Sequence, residues 1–136
     1  MQKIEPKITH SSQLCSEIQA PPAALVVFGA SGDLAHRKLY TALFQLYERQ
    51  LLSDNFYLIG CGRKKFTDRQ FRDSAAEALT RNADADSQTV SDFVECFYYV
   101  QGSYDKQDFY DDIKARVSEL DSKHEIEGSH IFYLAV

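Results

Sequence analysis

Long apolar runs are missing from this chain, and none approaches the roughly 18 residues that a membrane-spanning helix needs. The N-terminal stretch Met1 to Ala20 is polar and lacks the apolar centre of a secretory signal. A basic excess is missing too. Fifteen Lys and Arg against twenty Asp and Glu leave a formal charge of −5, which is not the footprint of a nucleic-acid-binding protein. Cysteine is scarce: Cys15, Cys61 and Cys96 are odd in number and widely spaced, matching neither a disulfide framework nor a zinc spacing. They read as reduced thiols of a cytoplasmic protein, with Cys61 a small filler residue. Histidine offers no catalytic set. His10, His124 and His130 fall in a leader, a loop and a strand edge with no partner placed beside them, and His36 reads as a surface residue. No Ser/His/Asp or Cys/His arrangement and no metal site can be assembled. Neither internal repeats nor low-complexity tracts occur.

What is present is a globular composition, 44% apolar and 12% aromatic over 136 residues, enough to bury the core of one domain. Residues 1–22 have no helical or strand period, end in Pro21-Pro22, and are expected to be mobile or loosely docked. From Ala23 onward a regular alternation sets in. Ala24–Phe28 is a buried-strand pattern, and Lys38 to Leu51 carries Leu39, Ala42, Leu43, Leu46 and Tyr47 at helical spacing. Phe56–Gly60 is a second strand, followed by a helix to about Thr80 that starts with Thr67 as N-cap and Gln70 at the capping-box position. Arg81–Gln88 reads as a loop, Thr89–Cys96 as a short helix and Phe97–Val100 as a third strand. Asp105–Leu120 is a helix with Phe109, Ile113, Val117 and Leu120 on one stripe. After a polar turn over 121–129, Ile131–Val136 is a fourth strand. Strands alternating with helices imply a Rossmann-type α/β fold, a parallel sheet with helices on both faces. The continuous apolar strands agree with burial from both sides. The chain stops at Val136 inside an apolar element, so residues 23–136 are expected to be an incomplete dinucleotide-binding domain, truncated from a longer protein.

The functional signal is the run Leu25-Val26-Val27-Phe28-Gly29-Ala30-Ser31-Gly32-Asp33-Leu34-Ala35. An apolar strand ending in small residues and re-entering as a helix presents free backbone N–H groups and a positive dipole end to a phosphate. The spacing is G-x-x-G-x-x-A. Gly29 allows the tight strand exit, Gly32 lets the backbone close on a pyrophosphate, and Ala35 lets helix and strand pack. Ser31 adds a hydroxyl. The Asp33 carboxylate would repel a diphosphate and is read as an orienting group. A plain strand-to-helix turn would show the same glycines, so the turn alone leaves the ligand open. The second strand narrows it. An NAD site places a carboxylate at that strand's end for the ribose 2′-OH, but here the run is Ile59-Gly60-Cys61-Gly62-Arg63-Lys64-Lys65. A guanidinium offers planar paired hydrogen bonds to a phosphate. Arg63 is therefore the expected NADP-selecting residue, Lys64 a helper and Lys65 solvated; a merely soluble basic turn is the alternative. The cations His36-Arg37-Lys38 oppose the helix dipole, so a compensating anion is expected nearby.

Taken together, Phe28-Gly29-Ala30-Ser31-Gly32-Asp33-Leu34-Ala35-His36-Arg37-Lys38-Leu39 strongly resembles the N-terminal signature of the glucose-6-phosphate dehydrogenase family. Ile59-Gly60-Cys61-Gly62-Arg63 is similar to its second-strand exit, where the arginine meets the 2′-phosphate. Tyr99-Val100-Gln101-Gly102-Ser103-Tyr104-Asp105 is similar to its third-strand exit, and Ile131–Val136 to the strand that the family follows with a proline pair. The resemblance covers about Ala24 to Val136. Cys61-Gly62 and Lys64 depart from it, standing where the family commonly has bulkier or alanine residues and a small hydroxyl residue. It implies a parent that oxidises glucose 6-phosphate to 6-phosphogluconolactone with NADP+, forming a homo-oligomer. It further implies a cofactor site of Gly29, Ala30, Ser31, Gly32, Asp33 and Leu34 at the pyrophosphate and Arg63 and Lys64 at the 2′-phosphate. Gly102 and Ser103 would flank the adenosine half, with Leu134, Ala135 and Val136 toward the nicotinamide. The family's general base and sugar-phosphate residues belong to a later domain and map onto nothing here, so the chain alone is expected to be inactive. A stand-alone nucleotide-binding regulatory module is the competing reading. It requires Val136 to be a true terminus. A different NAD(P)-linked dehydrogenase or epimerase would call for an acidic strand end or another turn spacing.

Overall fold

The computed structural model describes residues 18–136; the leader expected over 1–22 falls largely outside the described residues, as does Cys15. At its described end, Ala20 N–H and the Gln19 side chain donate to the carbonyls of Leu51 and Leu52 at 2.8 and 2.9 Å.

Strand β1, Ala24–Phe28, is followed by a π-helical turn, Ala35–Leu39, that runs directly into helix α1, Tyr40–Glu48. Next come β2 (Tyr57–Gly62), α2 (Asp68–Ala83), α3 (Ser87–Val94), β3 (Phe97–Gln101), α4 (Gln107–His124) and β4 (His130–Leu134). All pairings are parallel and the spatial order is β3-β2-β1-β4. Parallel strands need crossovers, and each crossover carries a helix. This is the expected α/β sheet with helices on both faces. Leu25, Val27, Leu58, Phe97 and Tyr99 pack one face against Tyr40, Phe44, Phe71, Leu79 and Phe93 of α1, α2 and α3. Alternate residues Ala24, Val26, Tyr57, Ile59 and Val100 pack the other against Phe109, Ile113 and Leu120 of α4. No helix among the described residues is long and apolar enough to cross a membrane.

Several boundaries move for identifiable reasons. Helical backbone begins at Asp33, well before Lys38, because the glycine turn feeds straight into it. β2 continues through Cys61 and Gly62, which pair with Phe28 of β1 and with Val100 and Gln101 of β3. The expected loop 81–88 shrinks. α2 is extended by the Arg81–Glu77 pair and ends at Asp84 in the left-handed region, while Asp86 caps α3 through Thr89 N–H. The capping box at the start of α2 forms as expected, with Gln70 N–H to Thr67 Oγ1 and Thr67 N–H to Gln70 Oε1.

α4 runs on past Leu120 to His124, where Lys123 and His124 suit the negative dipole end. β4 departs furthest from expectation. It lies at an edge, and Ile131, Phe132 and Leu134 are 58%, 62% and 69% exposed. Burial from both sides holds for the other three strands and fails here.

Candidate dinucleotide site

A chain that runs β1-β2-β3 outward and then returns beside β1 reverses direction between β1 and β4. In open parallel sheets ligands bind at the carboxyl ends of strands flanking such a reversal. The glycine turn sits at that point. Gly29 has φ +82°, and a Cβ on it would lie 2.7 Å from the Ala135 carbonyl oxygen. Ala135 N–H in turn donates to Phe28 O at 2.8 Å. Ala135 is thus buried against the turn, while Leu134 and Val136 project into solvent.

The donors of the turn divide into two sets. Gly29 and Ala30 N–H both donate to the Cys61 carbonyl, at 2.9 and 3.2 Å, and Gly32 N–H to Gly29 O at 3.0 Å. The N–H groups of Ser31, Asp33 and Leu34 donate to no acceptor among the described residues. They stand at the start of a helical segment that continues to Glu48, where the dipole favours an anion. The Asp33 carboxylate pairs with Arg37 at 2.8 Å. That pair supplies the anion expected beside the cations from within the chain and leaves the Asp33 N–H uncovered.

The end of β2 lies beside this turn. A Cβ on Gly62 would sit 4.0 Å from Ser31 Oγ and 3.1 Å from the Tyr99 hydroxyl. The next two carbonyls are anchored, Arg63 O by Gln101 Nε2 at 3.2 Å and Lys64 O by the Tyr99 hydroxyl at 2.6 Å. Burial pushes the Tyr99 phenol up to about 12, so it stays a donor. The exposed Arg63 side chain meets no partner among the described residues. Lys64 Nζ lies over the Phe66 ring, 5.0 Å from its centroid, and Lys65 is exposed.

At the end of β3, Gly102 has a packing role: a Cβ there would fall 2.2 Å from Phe109 Cδ1. The Ser103 hydroxyl is taken by Asp105. Tyr104, absent from the residues proposed on sequence, presents a half-buried ring between Phe28 and Phe109, with centroids 6.2 and 5.6 Å away. Aromatic identity at a strand exit was the available signal.

The histidines differ from expectation in having partners. His130 Nε2 lies 2.8 Å from Asp121 Oδ2, His124 Nε2 lies 2.9 Å from the Tyr98 hydroxyl, and His124 is helical. Both are at the amino-terminal end of the sheet, away from the turn. His36 is half-buried and bonded through both ring nitrogens, not a free surface residue. No His/Cys/Asp/Glu group among the described residues could hold a metal. Cys61 and Cys96 are free thiols, each pushed up to about 12 by burial.

The family model for the glucose-6-phosphate dehydrogenase NAD binding domain matches residues 26–136. The chain belongs to that family. Among curated relatives, glucose-6-phosphate 1-dehydrogenase of Treponema pallidum is 40% identical over 119 residues, covering 84% of this chain and 23% of the relative. The enzyme of that name from Bacillus subtilis is 30% identical over 118 residues, covering 87% of this chain and 24% of its own length. A solved glucose-6-phosphate dehydrogenase, in complex with its substrate glucose 6-phosphate, superposes with a TM-score of 0.75 at 29% identity. That match covers 89% of this chain and 25% of the other. The chain therefore spans about a quarter of the length of the relatives it matches.

Proposed function

We propose that this chain is the NADP-binding portion of a glucose-6-phosphate 1-dehydrogenase. The observation that carries the reading is the set of N–H groups at Ser31, Asp33 and Leu34 that meet no acceptor among the described residues, at the β1–β4 reversal and beside the β2 end that leads into Arg63, itself exposed and without a partner among those residues. Those amides suit a pyrophosphate, and the Arg63 guanidinium with Lys64 suits a 2′-phosphate of about two negative charges. The Ser31 hydroxyl stands 4.0 Å from where a Cβ on Gly62 would lie, at the end of β2. Gly29, Ala30 and Gly32 contribute by shaping the backbone, since their own donors are used internally. Tyr104 offers a ring on which adenine can stack, and Gly102 and Ser103 hold that exit in place. Leu134, Ala135 and Val136 border the nicotinamide side.

When bound, NADP+ supplies the hydride acceptor for oxidising glucose 6-phosphate at C1 to 6-phosphogluconolactone. No residue of this chain is assigned as catalytic base or sugar-phosphate ligand; both roles belong to the remainder of a cytoplasmic parent. The test is direct titration of the chain with NADPH, followed by its fluorescence, with 2′-AMP as competitor. Saturable binding displaced by 2′-AMP is expected; no binding, or displacement by 5′-AMP equal to that by 2′-AMP, would overturn the reading. In an activity assay the isolated chain should form no NADPH from glucose 6-phosphate, and turnover by it would show that a base had been missed.

A further inference from the structure

Two carbonyls of the glycine turn are pinned by side chains of the helical segment that follows it. The buried Tyr40 hydroxyl donates to Ala30 O at 2.6 Å. His36 donates from Nδ1 to Gly32 O at 2.9 Å, and its backbone N–H reaches the same oxygen at 3.2 Å. A carbonyl cannot donate, so Nδ1 carries the proton. In the neutral ring Nε2 is then free to accept from the Ser74 hydroxyl, 2.9 Å away on α2. Tyr40 and His36 lie four residues apart across the π-helical turn, with ring centroids at 5.4 Å and planes at 72°. Asn82 Nδ2 meets the His36 carbonyl at 3.4 Å.

A trans peptide unit is planar, with its C=O and the following N–H pointing in opposite directions. Pinning Ala30 O inward therefore turns the Ser31 N–H outward, and pinning Gly32 O does the same for Asp33 N–H. These are two of the three donors of the turn that meet no acceptor among the described residues. We infer that Tyr40 and His36, with Ser74 behind the histidine, are positioning residues that aim the Ser31 and Asp33 amides at a pyrophosphate before it arrives. Pre-set donors spare the ligand the ordering of the loop. Burial holds the Tyr40 phenol well above its ordinary value, so the hydroxyl remains a donor at every physiological pH. The inference rests on the pyrophosphate reading above, and its test separates the two.

The 136-residue chain and its Tyr40→Phe, His36→Leu and His36→Asn variants are titrated calorimetrically with NADP+ and with 2′-AMP, which has no pyrophosphate. Thermal unfolding reports whether each variant is folded. Asn can place its amide N–H where Nδ1 stands; Leu cannot. Tyr40→Phe and His36→Leu should each weaken NADP+ on the order of ten-fold, the loss of an ordering hydrogen bond, and leave 2′-AMP within about two-fold. His36→Asn should recover most of the affinity. Should Tyr40→Phe fail to fold, the two His36 variants still decide. Unchanged NADP+ affinity in the folded variants, equal loss for both ligands, or His36→Asn as weak as His36→Leu would overturn the inference. An unaltered chain that binds 2′-AMP as tightly as NADP+ would instead overturn the pyrophosphate reading on which it rests.

Discussion

Gly29 and Gly102 are both short of a side chain at a strand exit, yet they serve different ends. Gly29 combines a left-handed φ with the Ala135 carbonyl where its Cβ would go, so the reversal between β1 and β4 closes only over a glycine. Gly102 lets Phe109 reach the sheet, which is a packing requirement. Gly102→Ala overpacks that contact and should cost about 1–3 kcal/mol in chemical unfolding. A variant as stable as the parent would contradict the close approach. The glycine spacing was legible in the sequence because it is local. The division of the turn's donors was not, because Cys61, Tyr40 and His36 reach it from β2 and from the helix that follows.

Among the elements, α2 is specified by its own residues. The Thr67–Gln70 capping box forms as the sequence predicts, and Thr67→Ala should lower stability by about 1 kcal/mol, read as a shift of the unfolding midpoint. No shift would mean the box adds nothing to the packed helix. α4 ends differently. The His124 ring is held below its ordinary value by burial, with Lys123 beside it adding to the effect, and the Tyr98 hydroxyl can donate to its neutral Nε2. A base depressed in the folded state is protonated first in the unfolded chain, so stability is lost as pH falls below about 6.5. His124→Gln should flatten that part of the stability–pH curve, and an unchanged slope would remove His124 as a source. The end of α4 was hidden from periodicity: its last residues, Asp121-Ser122-Lys123-His124, are polar and look like a turn. Asp121 is held by Tyr57 from β2, far off in sequence, and by His130 at the start of β4. β1, β2 and β3 were legible from their apolar runs, whereas the same kind of run in β4 said nothing about its edge position.

Across the whole molecule the sheet has two unlike edges. The outer edge of β3 is closed by α2, with Arg72 Nε donating to Phe97 O at 2.8 Å and Asp68 accepting Tyr99 N–H at 2.9 Å. Asp68 is itself held by Arg116. β4 exposes Ile131, Phe132 and Leu134 with no charge between His130 and Val136. An open apolar edge without charged guards invites pairing, so the 136-residue chain should associate across a concentration series in sedimentation. Phe132→Lys should suppress this, and a chain that stays monomeric throughout would contradict it. The same topology brings the ends of β1, β2 and β4 together, and the proposal is that a backbone cradle and the exposed Arg63 guanidinium share one site there. That shared site is the central claim, and calorimetric titration of the chain and of Arg63→Ala with NADP+ and with NAD+ tests it most directly. Arg63→Ala should weaken NADP+ by about 1.5–3 kcal/mol, the worth of hydrogen bonds to a charged group, and leave NAD+ nearly unchanged. Equal losses for the two cofactors, or none for either, would contradict it.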